Sequence, residues 1–292
     1  EFIIASEIKA HPNALIDYEK LRSGKKTIHH HSSAEIKKIV RQIERLTQGY
    51  KDKKEYYVDK LAEGIAKIAA TFWPKEIIIR FSDFKTNEYE TLIGGSLYEP
   101  KEENPMLGWR GASRYYDKDF VEAFGLECRA IKKVRNEMGL ANVAPMVPFC
   151  RTVEEAKQVL RAMSGYGLKR GEKSLKVYMM AEIPSNVILI DDFLKLFDGL
   201  SIGSNDLTQL TLGLDRDSGV ISHIANENNQ AVKELIKTIV QKCNQKKKYV
   251  GICGQAPSDY PEFAQFLRQI KIRAISLNPD SVIRTMAYFK EH

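Results

Sequence analysis

The chain has 292 residues, 43% of them hydrophobic, enough for a large core in one domain or two smaller ones. Its net charge of +7 comes from 45 basic against 38 acidic residues spread along the chain, without a groove-reading or aromatic motif, so nucleic acid is the weakest partner and the lysines read as solvated helix faces. No apolar run reaches membrane-spanning length, no signal peptide opens the chain, and Cys128, Cys150, Cys243 and Cys253 share no CxxC spacing, so a reduced, cytoplasmic setting without membrane attachment is expected.

Glu1-Phe2-Ile3-Ile4-Ala5 has no initiator Met and reads as the end of a strand cut from a longer chain. Residues 9–34 are polar and turn-rich. They include His29-His30-His31, whose neighbouring side chains diverge on any regular element, so an exposed loop is the stronger reading. Residues 35–48 and 55–72 carry helix-spaced apolar positions, from Ile36 to Leu46 and from Val58 to Ala69, and Trp73-Pro74 ends the second. Glu76 to Phe81 is a continuous apolar strand that carries Arg80 near its end, as in parallel sheets buried on both faces. A long loop over 82–107 leads to a short strand-like segment, Leu107-Gly108-Trp109-Arg110-Gly111. Helix 120–138, strand 142–148, helix 153–164 capped by Thr152 with Glu155, and strand 175–181 follow.

Residues 177–217 then read as strand, helix, strand and polar loop. A βαβ crossover places Glu182 and Asp206 at the same ends of neighbouring parallel strands. Two carboxylates there, with Arg216 close in sequence, point to a divalent metal and an anionic ligand. Helix 228–247, strand 249–254 ending near Cys253, helix 258–270, strand 273–278 and helix 280–290 complete the chain. The alternation predicts an α/β fold, a (β/α)8 TIM barrel in one domain over 1–292 with its first strand largely truncated. A doubly wound sheet is the alternative, but no Gly-rich phosphate fingerprint follows the first strand. Arg80, Arg110, Glu182, Asn205, Asp206 and Cys253 sit just at or beyond apolar strands, where a barrel collects its catalytic groups. An ordinary salt bridge accounts for any one of them. All together favour a shared anionic, metal-containing site.

Longer motifs carry a resemblance. They are Arg80 to Tyr89, Glu103 to Arg114, Met179 to Asn186, Ser201 to Gln209, Leu214-Asp215-Arg216 and Gly251-Ile252-Cys253-Gly254-Gln255. In these the chain resembles the C-terminal PEP/pyruvate-binding barrel of the PEP-utilising enzyme family, in the form carried by PEP synthases (pyruvate, water dikinases). The resemblance implies that Glu182 and Asp206 bind Mg2+, that Arg80, Arg110, Asn205 and Arg216 hold phosphate and carboxylate, and that Cys253 is the acid/base at the pyruvate methyl carbon. It implies phosphoryl transfer from a phosphohistidine to the pyruvate enolate, giving phosphoenolpyruvate. It also implies that the ATP-binding and phosphohistidine domains lie elsewhere in a longer chain, and that this barrel forms a homodimer. None of the six histidines lies in the family's phosphohistidine motif. Cys128 and Cys150 are expected to be packing residues and Cys243, on a polar helix, incidental. A carbon–carbon lyase and a ligand-sensing domain with a dead site are the competing readings.

Overall fold

A computed structural model describes residues 1–25, 31–215 and 218–291. The chain divides into two compact units, Glu1–Pro148 with Gln158–Leu175, and Phe149–Lys157 with Lys176–His292.

In the first unit, helix Ser33–Leu46 begins at a capping box. Ser32 Oγ accepts from Glu35 N–H at 3.2 Å, and Ser32 N–H donates to Glu35 Oε2 at 2.7 Å. Helix Lys53–Phe72 buries Tyr57, Leu61, Ile65 and Ala69 on its apolar face. Strand β1 (Ile77–Arg80) follows, and helix Val121–Asn136 leads to β2 (Val143–Val147). The strands pair in parallel, with Ile77 opposite Val143 and Arg80 opposite Met146. The two long helices are cross-linked by two ion pairs, Arg129–Glu55 and Lys133–Asp59. Each pair's members stand four residues from the other pair's, so both bridges share one seam.

The second unit holds β3 (Tyr178–Ala181), β4 (Gly199–Gly203), β5 (Tyr249–Cys253) and β6 (Ala274–Ile275). Its pairs are all parallel, in the order β3–β4–β5–β6. The registers set Ala181 opposite Ile202 and Gly203 opposite Cys253, so three strands end at one level. Every residue of β3 and β4 is buried, which is why their sequences do not alternate and are apolar apart from Ser201. Helix Ser204–Leu212 starts directly after β4.

The α/β alternation holds, but six strands are present among the described residues where a closed barrel needs eight. Two expected strands are absent. Residues 1–8 wind into a helical segment, π-helical over Ile4–Ile8, which buries Ile4 and Ile8. Residues 107–111 form turns, held by a carboxylate instead of a ladder: Trp109 N–H donates to Glu102 Oε1 at 2.9 Å. Cys243 is not incidental either. It is buried on the inner face of helix Gln230–Gln245, and burial pushes its thiol up to about 12. Cys128 and Cys150 are buried as expected. His29 and His30 lie outside the described residues, while His31 is bonded to the carbonyl of Ser96 at 3.0 Å.

Candidate active site

In the second unit the functional side chains stand around the end of β4. Glu182 follows β3 and is fully buried. Its Oε1 accepts from the N–H of Phe149 at 2.6 Å. Its Oε2 lies over Gly203: a Cβ there would stand 2.3 Å from that oxygen, inside any allowed contact. The absence of a side chain at 203 is therefore what makes room for the carboxylate. Phe149 reaches Glu182 with φ at +46°, a left-handed conformation costing a bulky residue about 1–3 kcal/mol. Such strain persists only where neighbouring contacts impose it.

Asp206 lies in the first turn of helix Ser204–Leu212 and is buried, while Asn205 beside it is exposed. Cys253 ends β5 and is half-buried. Ser201 donates to its sulfur at 3.5 Å, and the thiol faces the carbonyl of Ile202, also at 3.5 Å. Gly254 has φ +148°, and a Cβ there would stand 1.9 Å from Ser204 Oγ. This close approach ties the end of β5 to the end of β4. Glu182, Asp206 and Cys253 are thus brought to one end of β3–β4–β5, two of them packed directly on β4.

In the first unit Arg110 is buried and held by a two-point ion pair. Its Nε donates to Asp83 Oδ1 at 3.1 Å and its Nη2 to Oδ2 at 2.6 Å. Burial pushes the Asp83 carboxyl up, against the opposing pull of Arg110 and then Arg80. Arg80, at the end of β1, is half-buried and paired with Glu1. Between them Ser82 is clamped from three sides. Its N–H donates to Glu127 Oε2 at 3.0 Å, its Oγ bonds Tyr89 Oη at 2.8 Å, and its carbonyl accepts from Tyr115 at 2.6 Å. Burial pushes the Glu127 carboxyl up.

A second buried arginine follows four residues after Arg110. Arg114 donates to both oxygens of Glu99, at 2.9 and 2.6 Å, and through Nε to the carbonyl of Trp109 at 2.8 Å. It stacks on the Trp109 ring at 4.1 Å. His11 bonds Glu99 through Nε2 at 2.9 Å, while its Nδ1 accepts from Asn13 N–H, which makes Nε2 the proton-bearing nitrogen. Burial alone would raise Glu99, but the hydrogen bonds from His11 and Arg114 outweigh it and hold its carboxyl below the ordinary range.

Comparison with known proteins identifies the family of the chain. The profile of the PEP-utilising enzyme, PEP-binding domain, matches residues 39–292. The chain belongs to that family. Curated relatives include the phosphoenolpyruvate synthase of Aquifex aeolicus, 54% identical over 98% of this chain and 37% of that protein. That of Pseudomonas aeruginosa is 56% identical over 100% of this chain and 35% of that protein. This PEP-binding domain therefore spans about a third of the length of the curated relatives it matches. Among solved structures, a Haloferax volcanii malate synthase with magnesium and glyoxylate aligns at TM-score 0.49 and 14% identity, over 79% of this chain and 60% of that one.

Of the site residues expected from sequence, Glu182, Asp206, Asn205 and Cys253 fall in one unit of the PEP-binding domain and Arg80 and Arg110 in the other. Arg216 lies outside the described residues. Among the described residues no group of three or more His, Cys, Asp or Glu side chains forms a protein cage for a metal. Two carboxylates still suit Mg2+, a hard cation that takes one or two of them and keeps waters or substrate oxygens for the rest. Glu182 and Asp206, both buried at the strand ends around β4, match that donor set. Asp83, Glu99, Arg114 and Asn186 carried no expected role. Each lies within or close to a motif, but its partner is distant in sequence or on the backbone, where no spacing rule reaches.

Proposed function

We propose that this chain is the PEP/pyruvate-binding part of a PEP synthase. There, pyruvate gives up a methyl proton and its enolate oxygen takes a phosphoryl group from a phosphohistidine elsewhere in the longer protein. The observation that carries the reading is Cys253 and Glu182 both packed on the end of β4 in a chain whose whole length is more than half identical to PEP synthases.

In this reading Cys253, as the thiolate, removes the methyl proton and leaves the enolate. The enolate oxygen then bonds phosphorus as the histidine P–N bond breaks. In reverse the thiol returns the proton to the methylene carbon. Ser201 donates to the sulfur, and the Ile202 carbonyl accepts from it when it is the thiol. Arg110 enters with its fork already fixed by Asp83, so little rotamer entropy is lost on binding a phosphate or carboxylate. Arg80, Arg216 and Asn205 complete the anion contacts. Glu182 and Asp206 would hold Mg2+, which supplies Lewis-acid stabilisation of the enolate oxygen. ATP use, with AMP, PEP and phosphate as products, belongs to the longer protein. So do a homodimer, a closed eight-stranded barrel, a cytoplasmic setting and a place in gluconeogenesis.

Deuterium exchange from solvent into the pyruvate methyl group, with Mg2+ present, tests the reading. Exchange abolished by Cys253→Ala is expected. No exchange at any pH in the parent chain would favour a dead site. Calorimetry adds a second check: PEP binding that survives Arg110→Ala unchanged would favour a lyase that has no use for phosphate.

A further inference from the structure

Glu182 is held by more than Phe149. Asn186, fully buried four residues on, reaches three backbone groups at once. Its Oδ1 accepts from the N–H of Glu182 at 3.2 Å and of Ile183 at 3.1 Å. Its Nδ2 donates to the carbonyl of Cys150 at 2.7 Å. The amide has one orientation only, since a flip would set donor against donor and acceptor against acceptor. Cys150 directly follows Phe149, whose N–H grips the carboxylate. Ser185 adds a parallel tie, its Oγ donating to the carbonyl of Arg151 at 2.8 Å. The backbone that presents Glu182 and the strained backbone that grips its side chain are thereby fastened to each other through one amide.

We propose that Asn186 is a positioning residue for the divalent cation, fixing the Glu182 carboxylate against Phe149 N–H and Gly203. The inference rests on Glu182 being a metal ligand. A helix cap alone would need only the bond to Ile183 N–H. The bond to Cys150 does nothing for the five-residue helix Pro184–Ile188, and it pins the segment that bonds the carboxylate. Mg2+ demands near-ideal octahedral geometry and Ca2+ tolerates irregular sites, so losing a positioning residue should cost Mg2+ more than Ca2+. A merely structural residue would lower stability without altering that ratio.

The test is calorimetric titration of Mg2+ and Ca2+ into the 292-residue chain, its Asn186→Ala variant and its Glu182→Gln variant, with thermal unfolding measured alongside. Asn186→Ala is expected to weaken Mg2+ binding by about 10–100-fold, the range for lost outer partners of a metal ligand, and Ca2+ binding by clearly less. If Asn186→Ala does not fold, Asn186→Ser, too short to reach all three groups, carries the same comparison. A folded variant with parental Mg2+ affinity, or with equal losses for both ions, overturns the proposal while Glu182 stands as a ligand. Equal Mg2+ binding by the parent and Glu182→Gln instead overturns the ligand assignment itself.

Discussion

The clearance at Gly203 makes a quantitative prediction. In Gly203→Ala the new methyl would stand 2.3 Å from Glu182 Oε2, 2.8 Å from Glu182 Cβ and 2.8 Å from Met180 Cε. Met180 is flexible and can yield. Glu182 cannot do so freely, because Phe149 N–H holds its other oxygen at 2.6 Å. Overpacking a filled site costs about 1–3 kcal/mol. Losing a hydrogen bond to a charged group adds about 1.5–3 kcal/mol. The variant should therefore be destabilised by about 2.5–6 kcal/mol, a fall in Tm of order 5–20 °C for a chain of this size. Gly165 is the control. It ends helix Val153–Gly165, and a Cβ there would meet nothing within 4 Å, so Gly165→Ala should be neutral or stabilising by up to about 1 kcal/mol. Calorimetric unfolding of both variants beside the parent decides the matter. A Gly203→Ala protein that melts within about 2 °C of the parent would refute the immobilised carboxylate.

Glu99→Gln should cost about 3–5 kcal/mol at neutral pH, because it strands Arg114 as a buried charge, and urea unfolding reads this directly. Since the Glu99 carboxyl is held below its ordinary value, its stabilisation is present at neutral pH and lost as pH falls through the folded-state value. The gap between parent and variant should therefore narrow in acid. Glu127 runs the other way. Its carboxyl is raised, so its contribution is full in acid and declines as pH rises through the folded-state value, and Glu127→Gln should flatten that decline in a plot of Tm against pH. Native titration with a thiol reagent should show one fast cysteine, lost in Cys253→Ser, because Cys128, Cys150 and Cys243 are buried with raised thiols.

What could be read from the chain beforehand followed the strength of local pattern. Strands β2, β3 and β4, buried at every residue, announce themselves as near-continuous apolar runs, and Arg80, Glu182 and Ser204 mark the ends of β1, β3 and β4. Helix Ser204–Leu212 reads as a polar loop, since Ser-Asn-Asp opens it and only its Leu207 side carries apolar weight into the core. Phe2-Ile3-Ile4 has the composition of a strand, but Ile4 and Ile8 find burial as one helical face, and packing decides. Cys243 looked incidental on a polar helix because its buried neighbours Ile236, Ile239 and Val240 recur at helical spacing among lysines. Asp83, Glu99 and Asn186 were silent for another reason: a residue's partner across 27 or 15 positions, or on the backbone at Cys150, leaves no periodic trace. The left-handed turn at Phe149 was equally hidden, because nothing in Pro148-Phe149-Cys150 signals a positive φ.

The junction at Cys253-Gly254 divides two tasks between adjacent positions. Gly254 admits no side chain, because Ser204 Oγ occupies the space a Cβ would take. Cys253 is half-buried, and its sulfur lies 3.5 Å from both Ser201 Oγ and the Ile202 carbonyl. In a library saturating both sites, position 253 should accept small residues with the fold intact, while position 254 should return glycine among folded survivors. Chemistry and architecture are thus separately mutable at this strand end. The scaffold can exchange its reactive group without renegotiating the joint that aims it.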